Sequence, residues 1–253
     1  MSLTIDLSGK VALLTGAAGG LGRATTISMA QAGARLCLVD INQSGLDQFA
    51  EELGNEGTEV LTIVADLSEP EECHRVVATT LEKFGRLDAL CNIAGVMIMA
   101  HTTEMTPQQF NKIINVNLGA PFFLSQAAIP HLLETRGAIV NVSSCAAHMG
   151  QAYLAIYTAT KAGLNNMTRS MAMEYIKKPI RINAVSPGGM MTELAASMRL
   201  PEGAEPELVK RFSPLRGLVD IEKMADFIVY LVSDAAEGFH GACISMDQGI
   251  VVG

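Results

Sequence analysis

Tyr157 and Lys161 are the first residues whose types and spacing point to chemistry, because they stand four apart in a segment with helical periodicity. On a helix this spacing places both side chains on one face, near enough to share a ligand. An ammonium group about 4 Å from a phenol in a shielded site contributes on the order of 4 kcal/mol, enough to lower the pKa of the phenol toward neutrality. A surface tyrosine stacked on a lysine stem has the same spacing, so the pair needs support from other residues.

Two polar residues supply that support. Ser144 follows the apolar stretch 138–142, and ligands of open α/β sheets bind beyond the carboxyl ends of the strands, so its hydroxyl is expected to face the same crevice. Asn117 lies inside a predicted helix, where asparagine is unfavourable. It has either a special role or a side chain bonded to its own helix backbone. The candidate catalytic residues are therefore Asn117, Ser144, Tyr157 and Lys161.

A glycine-rich turn with Gly16, Gly20 and Gly22 follows the first predicted strand and opens a helix. Such a turn lets a pyrophosphate approach the helix N-terminus, where backbone N–H groups and the helix dipole favour an anion. The alternative is a turn that only lets strand and helix pack closely. Asp40 ends the second predicted strand, where a carboxylate accepts hydrogen bonds from the adenosine ribose and repels a 2′-phosphate. The sequence therefore predicts NAD rather than NADP.

Apolar stretches rich in β-branched residues alternate along the chain with stretches of helical spacing. Seven strands are predicted at 11–15, 34–39, 60–64, 87–93, 138–142, 180–185 and 242–246. Helices are predicted at 24–32, 44–53, 71–84, 107–133, 155–176 and 221–232, with Gly33, Gly54, Gly85 and Gly137 at helix ends. This alternation is typical of an α/β fold with a Rossmann-type doubly wound parallel sheet, here a single domain over residues 1–253. The irregular stretch 189–216 is predicted to be a substrate lid.

These residues together resemble the classical short-chain dehydrogenase/reductase family over the whole chain. The matching motifs are Thr-Gly-x-x-x-Gly-x-Gly at 15–22, Asp66-Leu67, Asn92-Ile93-Ala94-Gly95, then Asn117, Ser144, Tyr157, Lys161 and Pro187-Gly188. Ile93 departs from the pattern, since the family often has a second asparagine there. The resemblance implies that Ser144 holds the substrate oxygen, that Tyr157 transfers its proton, and that Asn117 anchors a water beside Lys161. It also implies that Lys161 binds the nicotinamide ribose.

The resemblance also implies which residues bind the cofactor and how the chains assemble. The expected NAD-binding residues are Gly16, Gly20, Leu21, Gly22, Asp40, Ile41, Asp66, Leu67, Asn92, Ala94, Gly95, Tyr157, Lys161, Pro187, Gly188, Met190 and Thr192. The expected substrate contacts are Ser144, Met149, Tyr157 and Met190. In the family the helices here predicted at 107–133 and 155–176 pair about a two-fold axis and the chain ends meet across a second, which implies a homotetramer.

Composition narrows the partners to a small molecule. A net charge of −8 with 18 basic residues argues against nucleic acid, and no apolar run is long enough to predict a membrane span. The five cysteines form no CxxC pair, so no metal site is predicted, and free thiols with no apolar leader favour a cytoplasmic protein.

Methionines cluster in the segments that follow the strand ends, so an apolar pocket for a secondary alcohol or its ketone is expected. The alternatives are a 3-oxoacyl-type ketoreductase of the same family and a non-catalytic nucleotide-binding protein. The roles of His148 and Cys145 stay open.

Overall fold

A parallel sheet of seven strands, in the order β3-β2-β1-β4-β5-β6-β7, forms the centre of the molecule. The computed structural model describes residues 5–210, 212 and 216–252. The strands are β1 Val11–Thr15, β2 Arg35–Asp40, β3 Val60–Val64, β4 Ala89–Asn92, β5 Ala138–Val142, β6 Arg181–Pro187 and β7 Cys243–Met246. The predicted fold class is confirmed, and all seven predicted strands lie within two residues of the observed ones.

Helices cover both faces of the sheet. They are α1 Gly20–Gln31, α2 Gln43–Asn55, α3 Pro70–Phe84, α4 Pro107–Ile114, α5 Ala120–Thr135, α6 Ala155–Glu174, α7 Glu193–Ala196, α8 Pro206–Lys210 and α9 Ile221–Val232. Side chains of a strand alternate between the faces, so Leu14 joins a core with α1, α2 and α9, while Leu13 joins a second core with α3, α5 and α6. Both faces of the sheet are therefore buried, as the apolar strands require.

The single helix predicted at 107–133 is wrong, because the structure has two helices there, α4 and α5, separated by a π-helical turn. The start of α4 is as expected: the Thr106 hydroxyl accepts the Gln109 N–H at 3.2 Å, and the Gln109 side chain accepts the Thr106 N–H at 3.0 Å. After α4, however, a π-helical turn spans Asn115–Gly119 before α5 begins. Gly85 ends α3 with φ of 72°, whereas Gly54 lies inside α2 and does not end it.

The segment between β6 and α9 runs beside the carboxyl edge of the sheet, and its described residues form two short helices, α7 and α8. Of the predicted lid at 189–216, residues 211 and 213–215 lie outside the described part of the chain. Among the helices that are described, none is both long and apolar enough to cross a membrane.

Candidate active site

A cavity of about 370 Å³ opens at the carboxyl edge of the sheet. Its walls come from the glycine loop after β1, the ends of β4, β5 and β6, the first turns of α6, and the segment after β6. Parallel α/β sheets bind ligands at this edge, because the loops that leave neighbouring strands diverge there and leave a crevice.

The glycine loop adopts a conformation that its neighbours enforce. Gly16 has φ of 67°, and a Cβ there would lie 2.9 Å from the Ala94 Cα. A Cβ on Gly22 would lie 1.9 Å from the Gly16 carbonyl oxygen, which no side chain can tolerate. The Thr15 hydroxyl accepts the N–H groups of Ile93 and Ala94 at 3.0 and 3.1 Å, so the loop is tied to the end of β4.

The loop binds an anion from the chain itself. The Gly20 N–H, at the start of α1, donates to the Glu193 carboxylate at 2.9 Å. A carboxylate oxygen can stand in for a phosphate oxygen, so this contact identifies the helix N-terminus as an anion site. The glycine loop therefore fits the pyrophosphate of a dinucleotide, to which the Gly20 N–H would donate.

Asp40, the last residue of β2, lines the cavity beside the glycine loop. One carboxylate oxygen accepts the Ala18 N–H at 3.1 Å, and the other accepts the Asn42 N–H at 3.0 Å. The carboxylate is thereby fixed beside the glycine loop. Its neighbour Ile41 is 67% exposed and does not line the cavity, so its predicted contact with a cofactor finds no support in this arrangement.

Ser144, Tyr157 and Lys161 line the same cavity. Tyr157 and Lys161 come from the first turns of α6 and are buried, with the Lys161 Nζ 5.8 Å from the centre of the Tyr157 ring. The Lys161 Nζ donates to the carbonyl oxygen of Val142, the last residue of β5, at 2.9 Å. The Ser144 Oγ accepts the Ala146 N–H at 3.1 Å, which orients the hydroxyl at the start of a 3₁₀ turn.

Burial governs the pKa values of Tyr157 and Lys161, an effect that the sequence-based expectation did not include. Burial raises the pKa of Tyr157 to about 12, although a hydrogen bond with Ser144 opposes the rise. Burial also lowers the pKa of Lys161 to about 8. In both cases the low-polarity surroundings favour the neutral form. The phenol is therefore protonated near neutral pH, and the Lys161 ammonium group loses its proton as the pH rises through about 8.

Asn117 lies in the π-helical turn and is buried. Its amide oxygen accepts the Val96 N–H at 2.8 Å, and its amide nitrogen donates to the Val96 carbonyl at 2.9 Å and to the Thr160 hydroxyl at 3.3 Å. The side chain thus binds other segments rather than its own helix. A Cβ on Gly95 would lie 3.4 Å from the Asn117 amide oxygen and 3.5 Å from the Lys161 Nζ, so both atoms border the same point.

Comparison with known proteins places this arrangement in a family. The family model described as enoyl-(acyl carrier protein) reductase matches residues 16–251. A 3-oxoacyl-(acyl-carrier-protein) reductase of Thermotoga maritima is 36% identical over 247 residues, which are 97% of this chain and 99% of the relative. The chain belongs to the classical short-chain dehydrogenase/reductase family. It is therefore an oxidoreductase of that family.

Solved structures of short-chain dehydrogenases agree with the fold over nearly the whole chain. A short-chain dehydrogenase from Mycobacterium paratuberculosis bound to NAD has a TM-score of 0.90 and 27% identity, covering 98% of this chain and 100% of its own. A 3-ketoacyl-(acyl-carrier-protein) reductase from Brucella melitensis complexed with NADH has a TM-score of 0.87 and 29% identity, covering 97% and 100%.

Most of the residues predicted for a short-chain dehydrogenase site line the cavity, and some do not. The predicted cofactor and catalytic residues that line it are Gly16, Gly20, Leu21, Gly22, Asp40, Ala94, Gly95, Ser144, Tyr157, Lys161, Pro187, Gly188, Met190 and Thr192. Those not among its lining residues are Ile41, Asp66, Leu67, Asn92, Asn117 and Met149. Asn92 instead donates to the Asn141 side chain at 2.8 Å beneath the cavity, and exposed Asp66 accepts the Ser68 N–H at 3.0 Å.

Several residues that line the cavity were not named individually as site residues by the sequence reasoning, among them Gln151, Glu193 and Phe212. Gln151 precedes α6 by only a few positions, so the loop after Ser144 could have indicated it. Glu193 and Phe212 lie in the segment after β6, whose path no periodic pattern predicts.

Cys145 and His148 lie beside this site, but their environments do not favour a thiolate nucleophile activated by a histidine base. Burial raises the pKa of the Cys145 thiol, so the thiolate is disfavoured. His148 is exposed, and its Nε2 lies 3.3 Å from the Asn165 side-chain nitrogen. Within the described residues, no cluster of three or more histidine, cysteine or acidic side chains could hold a metal ion.

Proposed function

We propose that this chain is an NAD(H)-dependent oxidoreductase that interconverts a secondary alcohol and a ketone on an apolar substrate. The observation that carries the proposal is one cavity with two ends. The glycine loop and Asp40 stand at one end, and Ser144, Tyr157 and Lys161 stand at the other. A dinucleotide spanning the two ends would bring its nicotinamide to the catalytic side chains.

NAD rather than NADP is proposed because of the charge beside the adenosine end. The Asp40 carboxylate is held there by two backbone N–H groups, and a 2′-phosphate would meet its negative charge at close range. Arg23, a basic residue of α1, is paired with Glu52 and stacked on Phe49 with 4.1 Å to the ring centre. Solved relatives include one with NAD and one with NADH, and a third with bound NADP at low occupancy, so the proposal rests on Asp40 rather than on the relatives.

The proton step is assigned to Tyr157. In ketone reduction the neutral phenol donates its proton to the substrate oxygen, which the Ser144 hydroxyl holds by a hydrogen bond. The Lys161 ammonium then stabilises the phenolate, and Asn117 holds a water beside Lys161 through which the proton is replaced. Bound nicotinamide supplies or accepts the hydride, and its oxidised form adds positive charge beside the phenol.

The substrate is proposed to be apolar because of the walls around Ser144 and Tyr157. The apolar residues of this part of the cavity are Met97, Leu154, Met190, Leu194, Met198 and Phe212. Gln151 adds one amide among them. Methionine side chains adapt to differently shaped ligands, so several related alcohols should fit.

A screen of secondary alcohols with NAD, and of ketones with NADH, tests the proposal through the absorbance of reduced nicotinamide. Turnover with NAD at least tenfold more efficient than with NADP is expected. A protein that binds NAD but turns over nothing would favour the non-catalytic alternative. Preference for NADP would overturn the role of Asp40.

A 3-oxoacyl-type ketoreductase is the second candidate, and the Thermotoga maritima relative favours it, since it is described by that activity. Against it stands the net charge of −8, because an acidic acyl carrier protein docks better on a basic surface. Rates on a carrier-linked and a free 3-oxoacyl substrate distinguish the two. A strong preference for the carrier-linked form would replace the first proposal.

We also propose that the chain works as a homotetramer in the cytoplasm. On the two helices predicted to pair between subunits, Ala120, Ala128, Leu164 and Met171 are buried within the chain. Phe122 on α5, Met173 in the last turn of α6, and Ile176 just after α6 are exposed. Light scattering should give about four times the chain mass of 26.8 kDa. A monomer at micromolar concentration would refute the assembly.

A further inference from the structure

Tyr153 has a backbone conformation that tyrosine rarely adopts. It stands just before α6 with φ of 66°, in the left-handed region that disfavours large side chains. Its carbonyl oxygen accepts the Ala100 N–H at 3.0 Å, so the segment that follows β4 holds it in this conformation. Outliers of this kind persist where the surrounding structure enforces them, and they concentrate at functional sites.

The conformation brings the Tyr153 side chain to the lid. Its hydroxyl accepts the Glu205 N–H at 2.8 Å. The neighbouring His101 ring places its Nε2 2.9 Å from the Glu202 carbonyl oxygen, to which it donates. The two rings meet edge to face with their centres 5.1 Å apart. We call these two side chains, His101 and Tyr153, the clasp. Its two hydrogen bonds to the lid are both to backbone atoms, at the two ends of the turn 202–205.

The clasp stands on the wall of the active site. Leu154, the residue after Tyr153, is buried against Tyr157, and Met97 packs on the same small cluster. On the lid side, Met198 lies close in sequence to the gripped turn and lines the cavity. A lid that leaves the clasp would therefore take part of the substrate wall with it.

We propose that His101 and Tyr153 are positioning residues that hold the lid over bound substrate. This inference rests on the proposed function for its kinetic consequence, but not for its structural one. Neither side chain lines the cavity, so the clasp acts through the lid and not by contact with the reacting atoms. Loss of either hydrogen bond shifts the lid toward its open state and weakens substrate binding, while the proton step at Tyr157 is unchanged.

Limited digestion with trypsin tests the clasp without any need for turnover. The variants are Tyr153→Phe and His101→Phe, which keep an aromatic ring and delete one hydrogen bond each. Tyr175→Phe, at the end of α6, is the matched control. Lid cleavage after Arg199 or Lys210, both exposed, should accelerate about three- to tenfold in the clasp variants and stay unchanged in the control. Cleavage at the wild-type rate in both variants would refute the clasp.

Steady-state kinetics on an alcohol found in the screen supply the second readout. The clasp variants should raise KM about three- to tenfold, with kcat within a factor of two and NADH affinity unchanged. A fall in kcat at unchanged KM would overturn the inference, because it would mean that Tyr153 acts on Tyr157 directly. If no alcohol is turned over at all, the proposed function fails, and the cleavage rates alone still decide on the clasp.

Discussion

Replacing Lys161 with methionine should stabilise the folded chain while it removes activity. Burial lowers the pKa of Lys161 from its ordinary 10.5 to about 8. At about 1.4 kcal/mol per unit, keeping the ammonium charged in the fold costs about 3 kcal/mol. The cost is complete below pH 8 and disappears as the pH rises toward 10.5, because the unfolded chain binds this proton more tightly. Methionine fills a similar volume without charge.

One contact reduces the gain. The Lys161 Nζ donates to the Val142 carbonyl at 2.9 Å, and loss of that hydrogen bond costs about 1 kcal/mol. The net gain in the free energy of unfolding is therefore about 2 kcal/mol at pH 7. At pH 9 the wild-type lysine is partly neutral, so the gain falls to about 1 kcal/mol.

Urea denaturation without NAD, at pH 7 and pH 9 and at one fixed protein concentration, measures both numbers. Lys177→Met is the control, because Lys177 is exposed and its replacement should change stability little at either pH. A Lys161→Met variant less stable than wild type at pH 7, or a gain that grows with pH, would refute the reasoning.

Four further outcomes follow from the site. Tyr157→Phe should abolish turnover and leave NAD affinity within a few-fold, since it deletes only the acid/base hydroxyl; retained turnover would contradict this. Asp40→Ala combined with Ile41→Arg should weaken NAD and admit NADP, measured as kcat/KM for each, and an unchanged preference would count against the carboxylate. The kcat/KM for ketone reduction should fall as pH rises through about 8, where Lys161 of the free enzyme loses its proton, and a flat profile would exclude that role. Gly22→Ala places a Cβ 1.9 Å from a carbonyl oxygen and should destabilise the fold by about 3 kcal/mol or more in denaturation, so near-wild-type stability would show that the loop can yield.

The alternation of strands and helices could be predicted from the sequence because each buried strand is a short apolar run bounded by turn residues. The π-helical turn could not. Local spacing over α4 and α5 favours one continuous helix, and the interruption depends on Asn117 bonding to Val96, a residue distant in the chain. Propensity describes neighbours along the chain and cannot show such a contact.

Some features of the candidate site could likewise be predicted from the sequence, and others could not. Gly16 and Tyr157 are tied to local motifs, so their place at the cavity could be predicted from spacing alone. The pKa of Tyr157 could not, because the burial that raises it is a property of the folded chain and is not visible in the sequence. Glu193 on the Gly20 N–H is likewise a contact between two segments with no shared pattern.

The central position of β1 in the sheet also constrains the order in which the strand pairs can form during folding. Val11 pairs with Arg35 on one side, whereas its N–H bonds the Asp88 carboxylate, 77 residues away, on the other. Strands β1, β2 and β3 can thus pair through short connections during synthesis. Strands β4 to β7 must wait until longer connecting segments close. Until β5 pairs with β4, the emerging chain presents an open apolar strand edge, which is where unwanted association between chains begins. Tyr157 and Lys161, which we propose as the proton-transfer pair, lie on α6 after β5, so they reach the site once this aggregation-prone stage has passed.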